Sequence, residues 1–256
     1  MNTNDLLPFF KELTDKTSNI CKEYYRKPIK VKVKKDKSPV TILDKKVEEK
    51  IIDCISREFS GHNIYTEETG IINRTGSEFE WVIDPIDGTK TFIHGVPLFA
   101  TLIALLKNGI PIVGMYHNPI LEDLVVGDNQ ICIHNDNPTK MRSCNHFSDA
   151  VILTTDHFAI GQFQDQDRFD NLIKKCKMYR TWADAYGYFL LATGYADIMI
   201  DPIMSRWDAL ALIPIIKGAG GGITDYQGNS PIEAESIIAA PKNLLPDIVN
   251  LLNPNI

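Results

Sequence analysis

Three observations predict a mixed α and β protein built in two halves. Apolar side chains recur at helical spacing through the first 60 residues, and short apolar runs separated by turn residues fill much of the segment from 60 to 135. Beyond about residue 140, strand and helix patterns alternate. We therefore predict an N-terminal α+β half over residues 1–138 and a C-terminal α/β half over 139–256, divided at the polar stretch 135–140.

The N-terminal half is predicted to hold two helices followed by a series of strands. In each helix the apolar side chains recur every three or four residues, which places them on one face. Alternating valines and lysines predict a solvent-facing hairpin arm between the helices, and Asn108-Gly109 predicts a tight turn between two later strands. The helices are predicted at 6–25 and 44–59, the arm at 29–37, and the strands at 64–65, 79–83, 101–106, 110–116, 124–126 and 131–133.

The C-terminal half is predicted to alternate strands and helices. Its glycine run at 218–222 follows a helix, whereas a dinucleotide-binding loop follows a strand and opens a helix. The run therefore predicts the end of a helix and a turn. The strands are predicted at 151–154 and 196–200, and the helices at 169–176, 182–193 and 207–217.

Composition excludes several classes of protein. Hydrophobic residues make up 44% of the 256, which is ample for a large core, and the net charge of −6 argues against nonspecific nucleic-acid binding. The five cysteines are dispersed, which favours reduced thiols over a disulfide framework or a zinc site. No stretch reads as a signal peptide or a membrane span, so we expect a cytoplasmic protein with neither nucleic-acid nor membrane partners.

The segment from Trp81 to Thr89 carries the most chemical information in the chain. It places Asp84 and Asp87 where an apolar, half-buried strand meets Pro85, which we expect to end the strand. Both carboxylates, together with the intervening carbonyl of Ile86, offer the oxygen ligands that a hard cation such as Mg²⁺ prefers. The segment therefore predicts a metal site.

The next two residues, Gly88 and Thr89, are predicted to bind phosphate. A short helix starting there would present unpaired backbone N–H groups to an anion. The structural alternative is an ordinary turn, since Asp-Pro and Asp-Gly pairs are common turn formers. The full nine-residue run, with Glu67-Glu68 before it and Trp207-Asp208 after it, favours phosphoryl chemistry.

In their order and spacing these blocks resemble the inositol-monophosphatase superfamily of Mg²⁺-dependent, lithium-sensitive phosphatases. The resemblance implies a layered α/β/α/β/α sandwich of the inositol-monophosphatase and fructose-bisphosphatase type, two or three bound Mg²⁺ ions, a small phosphorylated alcohol as substrate, and a homodimer. The blocks are Ser38-Pro39-Val40-Thr41 with Asp44, Thr66-Glu67-Glu68, 84–89, Gly95-Val96-Pro97-Leu98-Phe99, Trp207-Asp208 and Ala219-Gly220-Gly221.

The resemblance also implies the metal ligands. Glu67, Asp84 and the Ile86 carbonyl would hold the first Mg²⁺, and Glu67 would also be catalytic. Asp84, Asp87 and Asp208 would hold the second. Metal ions can lower the pKa of the attacking water and stabilise both the attacking and leaving oxygens, so no protein nucleophile is needed.

Thr89 has two candidate roles. It can cap the short helix, or, as the resemblance implies, orient the nucleophilic water while Asp44 accepts its hydrogen bond. Asp44 also lies three residues after Thr41, where it would complete a capping box. Both roles are compatible with one carboxylate.

The substrate-side residues resemble the histidinol-phosphate phosphatase branch of the superfamily. This branch usually has Trp-Gly-Asp where the chain has Trp182-Ala183-Asp184, and Asp201 stands where an inositol phosphatase has glutamate. Histidinol carries an ammonium and an imidazole, which Asp184 and Asp201 would attract. The structural alternative is that Asp184 simply pairs with Arg180 on a helix. The expected substrate-binding residues are Asp87, Arg180, Asp184, Asp201 and Asp208.

These residues predict hydrolysis of L-histidinol phosphate, a step of histidine biosynthesis, by in-line attack of a metal-activated water. Two alternatives within the superfamily are an inositol-1-phosphate phosphatase and an adenosine 3′,5′-bisphosphate 3′-phosphatase, a branch in which Lys90 also occurs. A third alternative is a non-catalytic metal-binding regulator, although the complete set of ligands argues against it.

Overall fold

Helices and strands alternate along the chain in the computed structural model, which describes residues 1–34, 39–73, 75–182 and 184–254. The helices are α1 (Thr3–Tyr24), α2 (Ile42–Glu58), α3 (Thr89–Ile93), α4 (His157–Phe163), α5 (Gln166–Ile173), α6 (Ala185–Ala192), α7 (Arg206–Ala209), α8 (Leu212–Gly218) and α9 (Leu245–Leu252). The strands are β1 (Val31–Val33), β2 (Pro39–Thr41), β3 (Asn63–Thr66), β4 (Gly70–Asn73), β5 (Phe79–Asp87), β6 (Ala100–Lys107), β7 (Ile110–Asn118), β8 (Asp123–Gly127), β9 (Cys132–His134), β10 (Asn137–Pro138), β11 (Val151–Leu153), β12 (Met178–Arg180), β13 (Ile198–Asp201), β14 (Gly222–Thr224) and β15 (Ile237–Ala240).

Two large sheets organise these elements. The first has eight strands in the order β10-β9-β8-β7-β6-β5-β3-β4, antiparallel except where β3 pairs with β5. The second has five strands in the order β12-β11-β13-β15-β14, and β11 runs parallel to both of its neighbours. The two sheets use residues on either side of 138, although the division into two domains there stays a prediction. A separate hairpin pairs β1 with β2.

Three apolar clusters hold the sheets and helices in five layers. The first cluster packs α1 and α2 against one face of the eight-stranded sheet, around Trp81 and Ile103. The second fills the space between the other face of that sheet and the five-stranded sheet, with α6 and α8 as the middle layer. The third covers the outer face of the five-stranded sheet with α4, α5 and α9. The α/β/α/β/α sandwich expected from the resemblance is therefore confirmed.

Several predicted boundaries were wrong, including the helix predicted over 169–176, which is α5 at Gln166–Ile173, and three of the others have a clear local reason. β5 runs past Pro85 to Asp87, because one extra residue there forms a bulge that accommodates the proline. α6 begins at Ala185 and not at 182, since Asp184 has a positive φ of 56°. The helix predicted over 207–217 is two helices, because Pro214 has no N–H to donate to the carbonyl of Leu210, although Leu210 and Ala211 keep helical dihedral angles.

Parts of two sequence blocks lie outside the described residues. Ser38, within the first block of the resemblance, is one of them, and so is Ala183 of the substrate-side block. Of the hairpin arm predicted at 29–37, the structure describes residues 29–34. This part contains β1, whose side chains are exposed. Within the described ranges, no helix combines the length and apolar character that crossing a membrane requires.

The contact between β7 and α8 sets the spacing of the middle layer, and Gly114 makes it possible. A Cβ at Gly114 would lie 1.9 Å from the carbonyl oxygen of Ala211, which is backbone and cannot move aside alone. We expect Gly114→Ala to lower the free energy of unfolding by about 3 kcal/mol or more, because the layers must separate. Urea denaturation measures this change.

Gly161→Ala is the matched control for that substitution. Gly161 lies inside α4, and its nearest neighbour would be the flexible side-chain oxygen of Gln166 at 3.1 Å. Alanine also favours helix over glycine, so we expect a change within about 1 kcal/mol. Equal losses in the two variants would show that close packing on α8 is not the cause.

Candidate active site

The bulge in β5 places two carboxylates on the same face of the eight-stranded sheet. Asp84 pairs with Leu102, and Asp87 pairs with Ala100, so three residues of β5 advance against two of β6. In a regular strand, residues three apart point to opposite faces. The extra residue at the bulge cancels this change of face. Both aspartates therefore face the middle layer, as Leu102 and Ala100 do.

A third carboxylate joins them from α7. Oxygens of Asp84, Asp87 and Asp208 all lie within 4.8 Å of one another. Asp208 is positioned by a capping box, in which the backbone N–H of Ser205 donates to its carboxylate at 3.0 Å. Thus the strand bulge and the short helix α7 together build a cluster of three acidic groups. Asp208 joins the two aspartates of β5 from a distant part of the sequence.

Burial and mutual repulsion disfavour the charged forms of these groups. Burial raises the pKa of Asp84 and of Asp87 well above the usual range, and neighbouring carboxylates raise both further. Burial also raises the pKa of Asp208 to about 7. Among the described residues, none of the three forms an ion pair with a lysine, arginine or histidine. A set of oxygen donors with unbalanced negative charge fits a hard divalent cation.

Glu67 lies beside this cluster but is paired with a lysine. Its carboxylate contacts Asp84, and the ammonium of Lys34 lies 2.7 Å from Glu67 and 2.5 Å from Glu68. The turn that carries both glutamates is held by Glu48 of α2, which accepts a hydrogen bond from the backbone N–H of Glu68 at 3.0 Å. The structure thus brings Glu67 to Asp84, and it adds Lys34 and Glu48, which sequence reasoning missed.

The hydroxyl of Thr89 lies between two acceptors. It is 3.0 Å from the carbonyl oxygen of Ile86 and 3.3 Å from the carboxylate of Asp44. The other oxygen of Asp44 accepts hydrogen bonds from the N–H and the hydroxyl of Thr41, which completes the capping box of α2. Asp44 therefore has both contacts that the sequence suggested.

Gly88 is needed for both its conformation and its size. It starts α3 with φ of 80°, in the left-handed region that favours glycine. A Cβ at this position would lie 2.9 Å from a carboxylate oxygen of Asp184. The N–H groups of the first turn of α3 have no partner within the helix and can bind an anion. The carboxylate of Asp184 therefore packs directly against the turn predicted to bind phosphate.

A cavity of about 230 Å³ opens beside the acidic cluster. It extends from Asp87 and Asp208 to Asp184 and Asp201, so it joins the residues predicted for metal binding to two of those predicted for the substrate. Its lining also includes Lys90, Thr155, Asp156 and the apolar residues Leu102, Ile203 and Met204. A small organic group bound there would lie next to any ion held by the cluster.

Two carboxylates of the cavity are fixed by hydrogen bonds. Asp184 accepts from the hydroxyl of Thr91 at 3.0 Å, and burial raises its pKa. Asp201 accepts from the hydroxyl of Tyr188 at 2.9 Å and from the N–H of Thr155 at 3.0 Å. Burial raises the pKa of Asp201 to about 6.

Arg180 is the one predicted substrate-binding residue that does not line the cavity. It lies exposed at the end of β12, and its guanidinium donates to the carbonyl of Tyr179 at 2.7 Å. The alternative pairing of Arg180 with Asp184 is also wrong, because Arg180 is in a strand and Asp184 precedes α6. Within the described residues, the two form no ion pair.

Sequence reasoning did not find Thr91, Thr155 or Tyr188, which hold the carboxylates of the cavity. One signal was available for Thr155. It follows β11, Asp201 ends β13, and these strands are parallel, so their carboxyl ends meet at one edge of the sheet. Thr91 and Tyr188 carry no comparable signal, because their partners depend on the packing of separate elements.

Comparison with known proteins identifies the family. Residues 2–255 match the model described as the inositol monophosphatase family. The chain belongs to this family of phosphatases. The family is generally metal-dependent, in agreement with the acidic cluster at the β5 bulge.

Named relatives in this family differ in what their names describe. A bifunctional phosphatase, IMPL2, from Arabidopsis thaliana is 38% identical over 84% of this chain, which spans only 63% of that protein. A histidinol-phosphatase from Chlorobaculum parvum is 34% identical, with 90% of this chain and 89% of that one covered. The Nus factor SuhB of Pasteurella multocida is 28% identical, with 98% and 97% covered. The resemblance to histidinol-phosphatases predicted from the sequence is confirmed.

Solved structures confirm the fold. SuhB from Bartonella henselae superimposes with a TM-score of 0.89 at 24% identity, covering 98% of this chain and 100% of that one. An inositol monophosphatase from Zymomonas mobilis gives 0.86 at 29% identity, with 98% and 99% covered.

The raised pKa values predict how Mg²⁺ and pH act together on stability. Asp208 and Asp201 have folded pKa values of about 7 and about 6, both above the ordinary value of 3.8. Their protonated forms therefore favour the fold, and that stability is lost as pH rises towards 7. We expect the melting temperature of the metal-free protein to fall between pH 6 and pH 8.

A cation bound at the cluster would compensate the ionised carboxylates, so Mg²⁺ should raise the melting temperature more at pH 8 than at pH 6. For a chain of this size, each kcal/mol corresponds to about 2–4 °C. Differential scanning calorimetry with Mg²⁺ or a chelator measures both effects. Asp208→Asn should reduce the response to Mg²⁺, and an equal response at both pH values would contradict the prediction.

Proposed function

We propose that this protein is a Mg²⁺-dependent phosphatase that hydrolyses L-histidinol phosphate. One observation carries the proposal: Asp184 and Asp201 line the same cavity as Asp87 and Asp208. The cavity can therefore accept the alcohol part of a phosphate ester while the phosphate lies at the acidic cluster and the Gly88 turn.

Charge favours a cationic alcohol in this cavity. Its lining contains the carboxylates of Asp87, Asp156, Asp184, Asp201 and Asp208, against a single lysine, Lys90. Mg²⁺ would compensate Asp87 and Asp208, and the lining would keep the carboxylates of Asp156, Asp184 and Asp201. An ammonium and an imidazolium would gain from this field, whereas a neutral polyol would gain less.

The proposed chemistry divides between the ions and the chain. Glu67, Asp84 and the Ile86 carbonyl would hold one Mg²⁺, and Asp84, Asp87 and Asp208 would hold another. When bound, such ions stabilise negative charge on the phosphoryl oxygens and promote attack by water. The N–H groups at Gly88 and Thr89 would bind the phosphate.

The hydroxyl of Thr89 would orient the attacking water. When it donates its proton to Asp44, its lone pairs remain free to accept from a water molecule. The contact of 3.3 Å between the two side chains supports this role. Asp44 is itself held by Thr41, so the acceptor is fixed in place.

Two other functions remain as alternatives. An inositol-1-phosphate or adenosine 3′,5′-bisphosphate phosphatase has the same phosphate chemistry, and Lys90 in the cavity would suit a second phosphate group. A non-catalytic metal-binding regulator is a further candidate, and one relative is named a Nus factor. The complete carboxylate cluster supports catalysis over regulation alone, and assays of all three phosphate esters discriminate between the enzymes.

The preferred substrate is tested by Asp184→Asn. We expect wild-type protein to favour histidinol phosphate over inositol phosphate and adenosine 3′,5′-bisphosphate. Removing one charge near the alcohol should lower kcat/KM for histidinol phosphate relative to glycerol phosphate by about 5- to 150-fold, the value of a charged hydrogen bond of about 1–3 kcal/mol. Phosphate release from each ester measures the ratio.

Asp165→Asn provides a matched control, because Asp165 caps α5 and is not part of the cavity lining. It should leave the ratio unchanged. A large wild-type preference for inositol phosphate or the adenosine ester would overturn the substrate assignment. Equal losses on both esters in Asp184→Asn would instead give Asp184 a structural role.

Metal dependence is tested by Asp84→Asn, which changes a ligand proposed to be shared by two ions. We expect it to fold, since a neutral amide relieves repulsion within the cluster, and to lose most activity at any Mg²⁺ concentration. We also expect lithium to inhibit the wild type, and no phosphorylated protein to form during turnover. Full activity of Asp84→Asn, or of wild type in excess chelator, would refute the proposed chemistry.

A further inference from the structure

Thr155 connects Asp184 and Asp201, two acidic residues of the cavity lining. Its hydroxyl accepts a hydrogen bond from the backbone N–H of Asp184 at 3.0 Å. Its own N–H donates to one oxygen of Asp201 at 3.0 Å. One residue therefore holds both groups, Asp184 through its hydroxyl and Asp201 through its backbone N–H.

Asp184 needs such a partner because its backbone is strained. Its φ of 56° and ψ of −156° lie in a region that is occupied almost only by glycine. A residue stays there only where its surroundings hold it. Thr155 holds the N–H of Asp184, and the carboxylate of Asp87 holds the next N–H, that of Ala185, at 2.7 Å.

Position in the fold explains how Thr155 reaches both carboxylates. It lies two residues after the end of β11, the neighbour of β13, which ends at Asp201. Asp184, the residue before α6, reaches the same place through its N–H. Thr155 also lines the cavity itself, next to Asp156.

We propose that Thr155 is a positioning residue that sets the preference of the enzyme for its leaving group, by holding Asp184 and Asp201 in fixed relation. This inference rests on the proposed function, since it names a residue that helps the cavity to distinguish one phosphate ester from another. Thr155 does not need to contact the phosphate or the metal ligands. Its loss should therefore affect the alcohol and spare the phosphoryl transfer itself.

The neighbouring residue, Thr154, offers a matched control. Its side chain is buried, and among the described residues its hydroxyl has no hydrogen-bond partner. Thr154→Val and Thr155→Val make the same chemical change at adjacent positions. Only the second removes a hydroxyl that holds the N–H of Asp184.

The experiment measures kcat and KM for the ester that wild type prefers and for 4-nitrophenyl phosphate, whose leaving group is neither cationic nor a polyol. We expect Thr155→Val to lower the ratio of the two kcat/KM values by about tenfold or more, mainly by raising KM for the preferred ester. Thr155→Ser should restore most of the ratio because it keeps the hydroxyl. Thr154→Val should leave the ratio at the wild-type value.

Three results would overturn the inference. They are an unchanged ratio in Thr155→Val, equal losses on both esters, and failure of Thr155→Ser to restore the ratio. Thermal unfolding of each variant verifies that it is folded, and Thr155→Ala replaces the valine variant if the latter does not fold. A wild-type preference for an ester other than histidinol phosphate would refute the proposed substrate separately, because the ratio test uses whichever ester is preferred.

Discussion

The extra residue in β5 is the constraint on which the rest of the site depends. It turns Asp84 and Asp87 towards the same layer, where a regular strand would send one of them to the opposite core. Like charges this close repel each other. Among the described residues, no lysine, arginine or histidine forms an ion pair with them. The apolar packing of the five layers must therefore supply the free energy that keeps them together, which makes a bound cation the natural complement of the fold.

Backbone strain and charge repulsion occur together at the candidate active site. Asp184 keeps a glycine-like backbone at a cost of about 1–3 kcal/mol, and it does so beside buried carboxylates. The surrounding elements are regular, and their side chains fill three continuous apolar clusters. Such a division is common in proteins whose function needs groups that folding disfavours, because the stable part compensates the unfavourable one.

Much of this architecture could be predicted from the sequence, because the spacing of apolar residues indicates which face of a helix or strand is buried. The two N-terminal helices, the Asn108-Gly109 turn and the carboxylates of the β5 segment were all expected where they lie. The errors came where tertiary structure overrode a local rule: Pro85 fits a bulge, and Asp184 interrupts a helix. The roles of Thr155 and Tyr188 depend on which strands and helices meet in space. A single sequence does not show these contacts until the topology is known.

The hydrogen bond from Ala185 to Asp87 has a thermodynamic consequence. It ties the start of α6, directly after Asp184, to a carboxylate of the acidic cluster that we propose as the metal site. Any ligand that orders one of these groups lowers the entropic cost of ordering the other. By linkage, the factor by which the cation strengthens binding of the alcohol must equal the factor by which the alcohol strengthens binding of the cation. Under the proposed function, the two binding events would thus share one coupling free energy, to which this backbone N–H contributes.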